Sequence, residues 1–196
     1  MGNPWKEIPL SDYEQHMRLA SVFQLQTMNQ AMKKQLDAYP VTSAMILGLA
    51  GGNGLEHVDT AKYRTIYGVD INSAYLEEVK KRYACLGESL QCLCLDLATD
   101  AGRLPRAQLL IANLLIEYVG YGVFQEAVRA VAPEYVSCMI QINGDEEWVS
   151  DSPYLHVFDR LDEVHHRLSE EGLDKALQAV GYGRIYKEEY PLPNKK

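Results

Sequence analysis

The stretch Ile46-Leu47-Gly48-Leu49-Ala50-Gly51-Gly52-Asn53-Gly54 places four glycines within seven positions, directly after an apolar run. Glycine costs conformational entropy in ordinary structure, so a cluster at a strand end marks a sharp turn or a close approach of bare main chain to a ligand. A chain that contains such a stretch must fold so that a first strand ends there. What the turn holds is the question that the other residues address.

Short apolar runs predict further strands at residues 44–49, 65–69, 90–95, 108–112, 135–142 and 182–190. Segments of helical period lie between them, such as residues 73–86 with Leu76, Val79 and Tyr83 on one face. On that helix Glu77 with Lys81 and Glu78 with Arg82 read as a solvated face. Strand and helix in regular succession imply a doubly wound α/β fold, mostly parallel and flanked by helices on both sides. Ahead of it, Ser11-Asp12-Tyr13-Glu14 has the form of a capping box, and Leu25, Met28, Met32 and Leu36 follow at helical spacing. This predicts one long amphipathic helix, or a broken pair, from Ser11 up to Pro40.

The spacing of the glycines sorts the nucleotide-like ligands. A phosphate loop needs a lysine after its last glycine, and Gly54 is followed by Leu55 and Glu56. The dinucleotide pattern G-x-G-x-x-G finds Ala50, Asn53 or His57 where it needs glycine. A looser G-x-x-G-x-x-G fits Gly48, Gly51 and Gly54, as in short-chain reductases, yet no tyrosine has a lysine four residues later. A nicotinamide-dependent oxidoreductase stays open as an alternative. The net charge of −8 argues against nucleic acid. No apolar run approaches the ~20 residues of a bilayer span. Cys85, Cys92, Cys94 and Cys138 read as reduced, buried core thiols of a cytoplasmic protein, without a second metal-spaced pair. The adjacent His165 and His166 cannot easily share a metal, and His57 reads as a packing residue.

The first motif, "ILGLAGGNG", resembles that of the class I S-adenosylmethionine-dependent methyltransferases, with Gly52 and Gly54 on its last two glycines. The resemblance implies a Rossmann-like core over residues 41–196, an N-terminal helical lid over residues 1–40 and S-adenosylmethionine as cofactor. It implies that Asp70, which closes "IYGVDIN" beside Ile71, binds the ribose hydroxyls. Asp96, next to Leu97 in "CLCLDLA", would accept from the adenine amino group. Asn113, Glu117 and Tyr118 in "LLIANLLIEYV" would shape the methionine tail and the substrate entrance. "DYEQHM" is similar to the first helix of a group of bacterial methyltransferases, and Tyr13 and His16 would close over the sulfonium or merely pack on the sheet. Two departures stand out: Gly48 occupies the usual acidic position, and Ala50 replaces the next glycine. The C-terminal "YPLPNKK" arrives where a seventh, antiparallel strand is expected, which leaves either six strands or an open edge that a partner chain, as in a homodimer, would cover. The expected partner is a small-molecule acceptor, by direct in-line transfer. The acidic residues 143–152 around Trp148 read as a solvated loop, or as a lining for a cationic acceptor. A non-catalytic relative that binds the cofactor is the remaining alternative.

Overall fold

The structure, a computed structural model, describes residues 2–142 and 153–193; the acidic loop 143–152 therefore lies outside the described residues. Five parallel strands, β1 (Ser43–Leu47), β2 (Thr65–Asp70), β3 (Leu90–Cys94), β4 (Leu109–Asn113) and β5 (Tyr135–Met139), form one sheet in the order β3-β2-β1-β4-β5. β1 and β4 sit in the middle. Covered on both faces, they read as unbroken apolar runs rather than alternating ones.

Ala44, Ile46, Ile66, Leu109 and Ile111 face one layer, built by α2 (Gln24–Asp37) and α3 (Ser73–Arg82). Met45, Leu47, Val69, Leu110 and Ala112 face the other, built by the short α4 (Leu97–Asp100), α5 (Ile116–Val131) and α6 (Glu170–Gln178). α3 begins where the Asn72 side chain accepts from the N–H groups of Ala74 and Tyr75, and it buries Leu76 and Val79 as its period requires.

The N-terminal segment is the broken pair. α1 (Leu10–Arg18) and α2 part at Phe23, whose φ of 56° is left-handed. The capping box does not form: Pro9 stands at the N-cap, Ser11 Oγ turns to Asp12 Oδ1, and Glu14 reaches the Arg82 guanidinium instead. Proline presets the backbone two residues earlier than the box would. α2 packs into the core through Met32 and Leu36, so the cover over the strand ends comes from α1 and the 3₁₀ turn Pro4–Lys6 before it.

Two expectations fail. The run 182–190 is not a strand. Its charged side chains are drawn outward into ion pairs, Lys187 and Arg184 with Glu170 on α6 and Glu188 with Lys34 on α2. Ile185 and Tyr186 remain 76% and 68% exposed. Among the described residues β5 is therefore one edge of the sheet, and no sixth or seventh strand is present. Nor are all the cysteines core thiols: Cys85 and Cys94 are exposed, whereas Cys92 and Cys138 are half-buried against the two core layers. β3 and β5, which carry three of them, are the two edge strands.

Candidate functional site

The strand order reverses between β2-β1 and β1-β4, and such a switch point opens a crevice at the carboxyl ends of the strands. The glycine turn forms its first wall. Gly48, Ala50, Gly52 and Gly54 all have positive φ, at 68°, 47°, 79° and 94°. Three of them meet the requirement as glycines, whereas Ala50 holds it under strain of order 1 kcal/mol. Its N–H donates to Asp70 Oδ2 at 2.8 Å, which locks the turn to the end of β2. The Gly48 and Leu49 N–H groups both donate to the Val69 carbonyl.

The bare backbone is partly explained by packing within the chain. A Cβ on Gly52 would meet the Tyr83 ring at 2.8 Å, and one on Gly54 would meet Met32 Cγ at 2.5 Å. On Gly51 it would collide with the Glu14 carboxylate. Glu14 is held there by Arg82 of α3, which also binds Glu78 at 3.0 Å. Arg82 thus clasps α1 across the turn, a role beyond the solvated face.

Asp70 is buried, 9% exposed. Its other oxygen accepts from the Asn72 N–H at 2.9 Å. Burial raises the pKa of its carboxyl against the pull of the backbone N–H groups. Ile71 beside it takes the Cys94 thiol on its carbonyl at 3.7 Å.

Opposite lies the β4–α5 corner. Leu114 has a φ of 53° and donates its N–H to the Met139 carbonyl; Gly120, at φ 74°, kinks α5 after its first turn. Leu115 packs within 3.0 Å of where a Cβ on Gly48 would stand. On that isolated first turn Glu117 is 4% exposed. Its Oε1 accepts from the Gln141 N–H at 2.7 Å, whereas Oε2 has no hydrogen-bond partner among the described residues. Burial pushes the pKa of its carboxyl up to about 7.

An aromatic cover closes over both walls. The Trp5 ring stands edge-on to Tyr118 at 4.8 Å and to Tyr13 at 5.8 Å, and His16 lies 4.8 Å from Phe158. Burial pushes the Tyr13 and Tyr118 hydroxyls up, with the Asp70 charge adding to Tyr13 and the Glu117 charge to Tyr118. The cover is pinned where Asn72 Nδ2 donates to the Trp5 carbonyl and the Tyr75 hydroxyl to that of Ile8.

The structure therefore brings together the glycine turn, Asp70, Tyr13, Glu117 and Tyr118, with His16 in the cover. Asn113 is drawn away: it exchanges two hydrogen bonds with Gln35 of α2, at 2.9 and 2.8 Å. Asp96 caps α4 by accepting from the Ala98 N–H at 3.1 Å, and Leu97 is buried in the adjoining layer. His57 pairs with Asn29. Trp5 and Arg82 were not foreseen, because their partners lie far along the chain. A groove of about 620 Å³ lined by Ile8, Glu14, Arg18, Tyr75 and Arg82 lies along α1 and α3, and the glycine turn does not line it. Among the described residues no group of three or more His, Cys, Asp or Glu is placed to hold a metal, and no helix is long and apolar enough to cross a membrane.

No protein-family model and no curated protein matches this sequence. Solved structures do match in shape. The chain is similar to the cyclopropane synthase MmaA2 from Mycobacterium tuberculosis, at 9% identity and a TM-score of 0.61 over 83% of this chain and 62% of that one. It is similar to a possible exported protein from Bordetella parapertussis, at 15% identity and a TM-score of 0.60 over 89% and 65%. It is also similar to the N-terminal domain of EvdMO1 with SAH bound, at 15% identity and a TM-score of 0.58 over 80% and 71%. The chain spans less than two thirds of the length of the first two. At such identities the likeness establishes the fold, a Rossmann-like parallel sheet flanked by helices.

Proposed function

We propose that this chain transfers a methyl group from S-adenosylmethionine to a small-molecule acceptor, in line with the departing sulfur. The observation that carries the reading is the Asp70 carboxylate at the end of β2, tied through the Ala50 N–H to the glycine turn at the sheet's switch point. Each Asp70 oxygen accepts one backbone N–H and keeps a lone pair, which suits the two donor hydroxyls of a ribose. A fold neighbour with SAH, the demethylated product, supports the choice of ligand.

S-adenosylmethionine supplies the methyl on a sulfonium that departs as a neutral thioether, so the residues need only bind, orient and exclude water. Asp70 fixes the ribose. The Asp96 oxygen not used on Ala98 receives the adenine amino group. Trp5, Tyr13 and Tyr118 offer aromatic surface to the sulfonium, an attraction of ~0.5–2 kcal/mol, and keep water out. Asn113 acts through Gln35, holding α2 against β4.

Calorimetric titration with S-adenosylhomocysteine and with NADH tests this reading. Binding of the first and not the second is expected, with affinity falling about a hundredfold in Asp70→Ala, as two charge-assisted hydrogen bonds are lost. Binding of NADH alone would favour the oxidoreductase. Unchanged affinity in the variant would remove Asp70 from the site.

A further inference from the structure

Glu117 is a buried carboxyl of which only one oxygen is used. Oε1 is fixed by the Gln141 N–H just beyond β5, and Oε2 has no hydrogen-bond partner among the described residues. Leaving a buried acceptor unpaired is costly, and native structures seldom do so without a use for the atom. The location narrows the use. Asp70 and the glycine turn lie at β1 and β2, whereas Glu117 is anchored at the β4–β5 side, two strands away, next to Tyr118 on the same helix. A second unpartnered polar atom stands on the same side: the indole Nε1 of Trp5, whose ring meets Tyr118.

We propose that Glu117 Oε2 receives the proton of the acceptor's reacting O–H or N–H group, which makes Glu117 the general base of the transfer and the acceptor an alcohol, phenol or amine. This rests on the methyltransferase reading above. In the step, a lone pair of the acceptor heteroatom forms the bond to the methyl carbon. The carbon–sulfur pair stays with sulfur, and the acceptor's proton passes to Oε2 and then to solvent. The Trp5 N–H is placed to donate to a second oxygen or nitrogen of the acceptor. A base that exchanges its proton near neutral pH suits this task, and burial brings Glu117 there. Among the described residues, the titratable groups around it are Tyr118 on its own helix and Cys138 on β5, with Tyr13 and His165 beyond them against Tyr118, and His166, whose N–H donates to the Glu117 carbonyl. Burial holds both tyrosines well above neutrality and Cys138 up at about 12; the same cause lowers His165.

Sinefungin tests the assignment without knowledge of the acceptor, because an amine-bearing carbon replaces its methylated sulfur and aims an ammonium to the acceptor side. Its affinity and that of S-adenosylhomocysteine are measured by calorimetry from pH 6 to 8.5. Wild type should prefer sinefungin by about tenfold at high pH, the effect of one charged hydrogen bond, and less at pH 6, where Glu117 is protonated. Glu117→Gln, which retains the Gln141 contact, should bind S-adenosylhomocysteine unchanged and lose the preference at every pH. A preference that survives in Glu117→Gln overturns the proposal while leaving the methyltransferase reading intact. Failure of wild type to bind either compound overturns the reading itself. If the variant does not fold, the wild-type ratio decides: a preference that does not change with pH also overturns the proposal.

Discussion

Asp70 and Glu117 are both buried carboxylates at the carboxyl ends of parallel strands, yet they are finished differently. Asp70 has a backbone N–H on each oxygen, one from the turn it braces and one from the residue that caps α3. Glu117 has one N–H on Oε1 and, among the described residues, nothing on Oε2. The first wall of the crevice is preorganised, its side chains serving the fold and a ligand at once. The second keeps a polar atom in reserve, in a corner that also holds the left-handed Leu114 and the kink at Gly120. Strain and unpaired polarity concentrate where a chain gives up stability for chemistry.

The first wall should be the more brittle. Gly54→Ala forces a side chain onto a φ of 94° and drives a Cβ to 2.5 Å from Met32 Cγ and 2.6 Å from its Cβ. A loss of about 3–4 kcal/mol is expected from backbone strain and overpacking together, read from urea denaturation. A loss under about 1 kcal/mol would mean that α2 yields and the wall is not rigid.

On the second wall the expected effect is conditional on pH. Burial raises the Glu117 carboxyl from its ordinary value of 4.5 to about 7. The folded state thus holds its proton more tightly than the unfolded one, and stability from this group is complete below pH 4.5 and lost as pH rises through 7. Glu117→Gln removes that dependence. Relative to wild type it should gain stability from pH 5 to pH 8, by an amount of order 3 kcal/mol at most, in denaturation curves at both pH values. A constant difference between the two proteins would show that Glu117 does not titrate in this window.

The first wall was also the more legible in sequence. The central strands are apolar on both faces, so β1 and β4 stand out as runs without alternation, and the glycines mark where β1 ends. Asp70 falls at the end of the next run. By contrast, the run after Gly181 looked like a strand because Tyr182, Ile185, Tyr186 and Tyr190 are strand-forming. The partners of its charges, Glu170 and Lys34, belong to other elements and leave no local trace. Glu117 could be singled out by its position after β4, but its unpaired oxygen depends on where the backbone of Gln141 falls. Nor does any rule of spacing foretell that Ala50 takes a positive φ, since the bond to Asp70 that imposes it spans twenty residues.

The smallest expected effect concerns the clasp that joins the cover to the first wall. Glu14 and Arg82 lie 68 residues apart and meet over Gly51. Arg82 is 37% exposed and also binds Glu78, so solvent screening limits the pair to about 1 kcal/mol or less. Arg82→Ala should leave global stability nearly unchanged and speed amide hydrogen exchange in α1 a few-fold, with the strands unaffected. Gly51→Ala offers an independent route to the same result without touching a charge, because the new methyl displaces the flexible end of Glu14 and not backbone. If both variants loosen α1 alike, the cover is held by the placement of that carboxylate on the glycine turn. If only Arg82→Ala does so, the arginine acts through Glu78 and α3, and the absence of a side chain at position 51 serves some other contact.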